Sequence, residues 1–420
     1  MVKSSTIALS ALAAAALFVS GCNPTTTAAT SNCDSNYVDE VLASTITADK
    51  TLDATKVYGL DGKVVVTSSS KLTIPAGTKI AGCTAKSFLL IDKGSKIDAN
   101  GTLAKPIVFT SLLDVKGESG DDRVGEWGGL TLLGGAYTNA GAKTYEASTE
   151  SYGSATHTDD NQSSGSLKYV VIKHTGFEVE TDKELNGLSL AGVGSGTTIE
   201  NIAIIGGADD GVEMWGGTVN VNGIYVYNAK DDSIDTDLGY NGTVTNAYVV
   251  QNLVDATTFD SSGMEFGNDS NSFHTDETNA TYPRIVNATI EAKAGGLYLK
   301  NDAGGIFNNV LVKKVSTAAT SSGDKKYAVV THRTTDTFDT NATKLEGNVS
   351  FWNAALGDTS NIYATGNTKD SNTTHTAAQY WPTNVNLNTF AIDTNGSGTT
   401  GATIANIWKG AEGNNTTALK

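Results

Sequence analysis

Short β-forming runs cut by Gly, Asn and Asp return along this chain about once every 22 residues, and such a period leaves few folds open. Asp209-Asp-Gly-Val-Glu213 is echoed by Asp231-Asp-Ser-Ile-Asp235 (231 − 209 = 22), and Asn287-Ala-Thr-Ile290 by Asn309-Val-Leu-Val312 (309 − 287 = 22). Gly223-Ile-Tyr-Val-Tyr-Asn228 aligns with Ala247-Tyr-Val-Val-Gln-Asn252 (247 − 223 = 24), and Ile74-Pro-Ala-Gly-Thr-Lys-Ile80 with Ile91-Asp-Lys-Gly-Ser-Lys-Ile97 (91 − 74 = 17). The runs are very short: Val64–Val66, Leu72–Ile74, Phe88–Ile91, Ile107–Phe109, Leu130–Leu133, Tyr169–Ile172, Leu188–Leu190 and Ile199–Ile205. A strand of that length cannot bury a face alone. Coiling the chain lets each strand pair in parallel with its equivalent one turn later, at about 4.8 Å, with inward residues forming apolar ladders. Gly and Asn suit the corners, where positive φ is often required. A leucine-rich repeat would need a regular Leu pattern that is missing, and a sandwich or propeller would show longer strands and hairpin signals. The expected fold is all-β: a right-handed parallel β-helix with loop insertions and an irregular C-terminal cap.

Composition agrees. The 420 residues include 45 Gly and 5 Pro, with 39% hydrophobic and only 18% charged, so uncharged polar side chains supply the solubility and helix formers are scarce. Acidic residues number 45 against 29 basic, a formal charge of −16. That balance argues against nucleic acid as a partner and against adhesion to bare anionic lipid, since both need clustered Lys and Arg.

Lys3, the apolar stretch Ile7–Val19 and then Val19-Ser-Gly-Cys22 follow the order of an export signal over residues 1–21. The last four resemble the bacterial lipobox. That resemblance implies lipidation of Cys22 and a membrane partner through an N-terminal lipid anchor, and Asn23, where Asp would favour inner-membrane retention, leans toward the outer membrane. The Thr-, Ala- and Ser-rich segment 22–32 reads as a flexible tether. No later stretch approaches the roughly 18 apolar residues of a spanning helix, so a pump or channel is not expected of this chain alone. With Cys22 lipidated, Cys33 and Cys83 remain, and an even count in an exported chain predicts a disulfide between them; two buried free thiols are the alternative.

Residues 33–51 are expected to cap the first coil, with a short helix over Tyr37–Leu42, and 52–355 to form the β-helix. Residues 356–420, with Tyr380, Trp381 and Trp408, are expected to form C-terminal coils and a cap over an edge that would otherwise pair with another chain. Long polar segments at Asp114–Glu126, Asn139–Gln162, Asp255–Pro283 and Thr317–Asn341 break the period and project as loops suited to binding.

Alternation sets the register of the middle coils. With Val212, Ile234 and Met264 inward, Glu213, Asp235 and Glu265 point outward and stack, and Trp215 and Asp237 share that face. Asp209-Asp210 and Asp231-Asp232 enter those strands at the corners. Two carboxylates about 5 Å apart repel by roughly 3 to 4 kcal/mol at an effective dielectric of about 20. A cation, a raised pKa or splaying into water would relieve it. The first outlet fits Ca²⁺, which takes several oxygen ligands, with Asp210, Glu213, Asp232, Asp235, Asp237 and Glu265 as candidates. The second fits acid/base chemistry on a polysaccharide through Glu213, Asp235 and Glu265. Asp235-Thr-Asp237-Leu-Gly239-Tyr-Asn241-Gly242 alternates oxygen donors and glycines as calcium loops do, without the closing Glu of an EF-hand. Trp215 is expected to pack under a loop, with sugar stacking as the alternative. None of His157, His174, His274, His332 and His375 has the spacing of a zinc pair, and all five are expected in surface loops. GxSxG, P-loop and dinucleotide fingerprints are missing, and Gly192–Gly196 reads as a corner.

Leu72-Thr-Ile-Pro-Ala-Gly-Thr78, Pro106-Ile-Val-Phe-Thr-Ser111, Glu126-Trp-Gly-Gly-Leu-Thr-Leu-Leu-Gly134, Asn186-Gly-Leu-Ser-Leu190, Asp209–Asn220 and Asp231–Tyr240 together resemble a family of exported bacterial surface lipoproteins with a right-handed parallel β-helix. Some of its members carry a multidrug-transporter label, which the lack of spanning segments here speaks against. The wider pectin-lyase-like superfold includes polysaccharide lyases and hydrolases. Those use a catalytic Arg or Lys, or an Asp pair with His and Arg-x-Lys, and Lys230 and Arg284 do not follow that set. The leading expectation is therefore a non-catalytic cell-surface lipoprotein, a rigid rod presenting loops for adhesion, glycan binding or assembly with other surface proteins. A polysaccharide lyase or hydrolase using the acidic face is the alternative.

Overall fold

The computed structural model describes residues 31–252 (apart from 121, 147 and 182), 261–268, 278–292, 295–300 and 303–314, and beyond these the backbone of short strands between 329 and 391. Met1–Ser31 and Asn32–Lys420 are separate units. The signal segment, Cys22, most of the tether, His274 and most of the insertions Asp255–Pro283 and Thr317–Asn341 lie outside the described residues.

Two sheets, of 16 and 12 strands, run along the larger unit. Each strand pairs in parallel with its equivalent in the next coil, which makes the chain a right-handed parallel β-helix. On the 12-stranded sheet Val64, Leu89, Leu130, Leu188, Val212, Ile234, Met264 and Leu297 succeed one another rung by rung. On the other sheet Ile172, Ile204, Val226, Val249, Ile290 and Val312 do the same. All of these are at most 3% exposed, so each contributes about 1.5–3 kcal/mol of apolar burial.

From Thr198 onward the long strands of the 16-stranded sheet share a bend where the residue takes positive φ, at Asn201 (57°), Gly223 (84°), Asn246 (59°), Asn287 (58°) and Asn309 (54°), while in the strand before them Tyr169 (47°) holds that position. The asparagine amides link successive coils. Asn246 Nδ2 donates to Asn222 Oδ1 at 3.0 Å, Asn287 Nδ2 to Asn246 Oδ1, and Asn309 Nδ2 to Asn287 Oδ1 at 2.9 Å.

Four expectations are corrected. Leu72 pairs with Ile97, and Ile91 with Val66 and Leu132, so the 17-residue repeat is not the coil pitch. Ile74–Ile80 and Ile91–Ile97 are two strand–turn–strand corners of one coil, alike because both turns place a glycine, Gly77 and Gly94, at φ 89°. The alignment of 223–228 with 247–252 slips by one residue: Ile224 pairs with Ala247 and Tyr225 with Tyr248. The segment 33–51 is not merely a cap. Its strands Glu40–Val41, Thr45–Ile46 and Lys50–Thr51 pair in parallel with the next coil, and no helix forms over Tyr37–Leu42. Finally, His174 is buried at 1% exposure in the strand Gly165–Thr175, and its Nδ1 donates to the Arg123 carbonyl at 2.7 Å. It thereby holds the insertion that contains Arg123 onto the sheet.

Cys33 and Cys83 are joined by a disulfide, with Cα atoms 5.0 Å apart and a sequence separation of 50. Closing that loop is worth about 4 kcal/mol in the entropic account. Gly59 makes room for it: a Cβ there would lie 2.5 Å from Cys33 Sγ and 2.9 Å from Cys83 Sγ. Among the described residues no helix is long and apolar enough to cross a membrane.

Candidate functional site: a carboxylate pocket on the 12-stranded sheet

On the outward face of the 12-stranded sheet the row Thr131, Ser189, Glu213, Asp235, Glu265, Tyr298 runs from coil to coil. The insertion 139–162 covers its upper part. The Tyr145 hydroxyl accepts from Thr131 Oγ1 and donates to Ser189 Oγ, both at 3.0 Å. Trp215 lies in the same cover, 8% exposed, with its ring edge-on to Tyr145 at 5.7 Å between centroids. It is a packing residue, not a platform open to a sugar.

Where this cover ends the row opens into a pocket of about 410 Å³, lined by Glu146, Glu184, Asp209, Asp210, Glu213, Asp231, Asp235, Glu265, Tyr298 and Lys300. The corner residues are set by the backbone. Asp210 N–H donates to Asn186 Oδ1 at 3.2 Å, Asp232 N–H to Asp210 Oδ1 at 2.8 Å, and Ser262 N–H to Asp232 Oδ1. Each coil thus offers one side-chain oxygen to the next coil's amide. Asn186 also donates from Nδ2 to Glu213 Oε2 at 2.7 Å, which fixes that side chain at the pocket edge.

The carboxylates are close and short of donors. One oxygen from each of Asp209, Asp210 and Asp231 lies within 4.8 Å of the others, and the same holds for Asp210, Glu213 and Asp235. At 4.8 Å and an effective dielectric of 20, a charged pair repels by about 3.5 kcal/mol. Asp235 is 8% exposed, and among the described residues its Oδ1 has no hydrogen-bond partner. Burial first, and the Asp231 charge second, push the Asp209 carboxyl up to about 8. Burial, followed by neighbouring carboxylates, holds Asp210, Glu213 and Asp235 well above the usual range. Lys300 is the one basic residue lining the pocket among those described, and its ammonium is paired to Glu265 Oε1. Burial alone would lower its pKa; Glu265 and then Asp235 outweigh that and raise it.

Of the residues the alternation singled out, Asp210, Glu213, Asp235 and Glu265 come together here. Asp232 and Asp237 do not line the pocket. One Asp232 oxygen serves the Ser262 amide, and Asp237 stands opposite Trp215 with Oδ1 accepting from Leu238 N–H at 2.6 Å. Sequence reading missed Asp209 and Asp231 as lining residues, although their 22-residue echo was visible. It also missed Lys300, whose signal was Leu297-Tyr-Leu-Lys300 in register with Met264-Glu-Phe266. Glu146 and Glu184 come from hairpins inserted between coils, and no periodicity points to them. The donor set is oxygen alone, which suits a hard cation such as Ca²⁺ and not a zinc-type ion.

Fold and site together define a parallel β-helix with a carboxylate pocket on one outer sheet face. The chain matches the family described as "Pectate-lyase like beta helix domain" over residues 44–386, and it belongs to that family. No curated protein and no solved structure matches it.

Proposed function

We propose that the protein is a surface lipoprotein, anchored at the outer membrane through Cys22, whose β-helix binds Ca²⁺ in the acidic pocket and acts by binding, not by catalysis. The observation that carries the reading is Asp235 Oδ1, a buried oxygen without a donor among the described residues, inside a crowded carboxylate set. A buried acceptor in that state costs free energy that a bound cation would recover. Bound Ca²⁺ in turn offers open coordination positions to carboxylates of surface glycans or of other surface proteins. Against a lysine base of the lyase kind stands the pairing of Lys300 with Glu265, which favours the protonated form over the free amine such a base needs. Calorimetric titration of chelator-treated protein with Ca²⁺ tests the reading, and absence of binding heat and of thermal stabilisation would refute it. For the anchor, Cys22→Ser should release the protein from membranes; palmitate labelling that persists in that variant would end the lipidation proposal.

One observation favours a second reading, a polysaccharide lyase or hydrolase using Glu213, Asp235 and Glu265: Lys300 lies on the same pocket in a pectate-lyase-like β-helix. A cation bound beside it would loosen its pairing and lower its pKa. Cleavage of an anionic polysaccharide that Asp235→Asn abolishes would put this reading first.

A further inference from the structure

Resting on the cation-binding reading above, we infer that the pocket holds two divalent cations, with Asp210 the ligand they share. Ligand oxygens on a single Ca²⁺ sit about 2.3–2.6 Å from it, so two of them are separated by at most about 5 Å. Two sets of three carboxylate oxygens meet that limit, Asp209/Asp210/Asp231 and Asp210/Glu213/Asp235, and Asp210 alone belongs to both. The sets have different origins. Asp209 and Asp231 enter from the corners of two successive coils, whereas Glu213 and Asp235 project from the paired strands that follow. The inner set contains Asp235 Oδ1, more than nine-tenths buried and without a hydrogen-bond partner among the described residues, which marks an unfilled ligand position and not a solvated acidic face. One dication would leave most of the eight lining carboxylates uncompensated. The row does not continue to a third ion, because the Lys300 ammonium already stands against Glu265 on the next rung.

Asp210 is also a tractable test position. Its Oδ1 accepts from Asp232 N–H at 2.8 Å, and Asn keeps a carbonyl oxygen for that bond. Equilibrium dialysis and calorimetry of the chelator-stripped full chain with Ca²⁺ should find two ions per chain. Asp209→Asn and Asp235→Asn should each leave one ion bound. Asp210→Asn should weaken both, by at least about tenfold, since even outer-shell partners of a metal are worth that much. One ion in the wild type, or an Asp210→Asn variant indistinguishable from the other two, overturns the two-ion inference while leaving a single-ion site standing. No binding at all overturns the cation reading itself. If the variants fail to fold, the wild-type stoichiometry decides alone.

Discussion

Asn246, Asn287 and Asn309 stack along the bend of one sheet, while Glu213, Asp235 and Glu265 stack along the face of the other, on the same solenoid and at the same rung spacing. Their chemistry is opposite. An amide both donates and accepts, so the asparagine row satisfies itself from coil to coil, at about 1 kcal/mol net per bond. An ionised carboxylate only accepts, so the acidic row repels itself and, among the described residues, leaves Asp235 Oδ1 without a hydrogen-bond partner. Identical stacking therefore produces a structural spine on one side and a self-repelling acidic row on the other. A polar ladder in a parallel solenoid becomes functional when its members cannot satisfy one another.

The contrast can be strained most severely by pH in chelator. Asp209, Asp210, Glu213 and Asp235 all have raised folded-state pKa values, so the folded chain binds protons more tightly than the unfolded one. That stabilisation is present below the ordinary carboxylate pKa and is lost as pH rises toward about 8, where Asp209 titrates. The melting temperature of metal-free protein should fall across that window, and Ca²⁺ should flatten the fall. A metal-free profile that is level or rises would contradict the repulsion.

Next in size is the conversion of one row into the other. Asp235→Asn removes a close charge pair and should stabilise metal-free protein by up to about 3.5 kcal/mol while shrinking, by the loss of one of the two ions, the difference between Ca²⁺ and chelator. Denaturant titration of both forms measures it. For wild type, Ca²⁺ at a hundredfold excess over Kd should add about 2.7 kcal/mol per bound ion, and identical melting in Ca²⁺ and chelator would remove the cation from the account. The smallest effect is the reverse conversion. Asn287→Asp deprives Asn246 Oδ1 of its donor and should cost about 1–3 kcal/mol, with no response to Ca²⁺. The drop in melting temperature from wild type to this variant should be the same in Ca²⁺ as in chelator.

The coil, its apolar ladders and the register of Glu213, Asp235 and Glu265 were legible because inward and outward residues alternate strictly and the echo of Asp209 in Asp231 gives the pitch. The 17-residue echo misled because turn chemistry repeats at every corner, whether or not the corners stack. The slip at 223–252 arose because Gly223 and Asn246, unlike as side chains, play the same left-handed role in the bend. Aligning Asn228 with Asn252 hid that equivalence, although the two do meet, Asn252 N–H donating to Asn228 Oδ1 at 3.1 Å. The fate of Asp232 was not legible at all, since nothing in its neighbours announces that a backbone amide will occupy its carboxylate. Glu146, Glu184 and the roof made by Tyr145 depend on how insertions fold back, which no period encodes.

The Cys33–Cys83 disulfide also decides how the first coils would carry load. A pull applied upstream of Cys33 passes through the sulfurs directly to Cys83, and so onward to the strand Phe88–Ile91, which is paired on both sides. The residues between the cysteines, with the two-residue strands Glu40–Val41, Thr45–Ile46 and Lys50–Thr51, lie outside that force path. With the bond intact, tension meets a continuous sheet. With it reduced, the same tension would reach the shortest strands first and peel the solenoid from its end, one coil at a time.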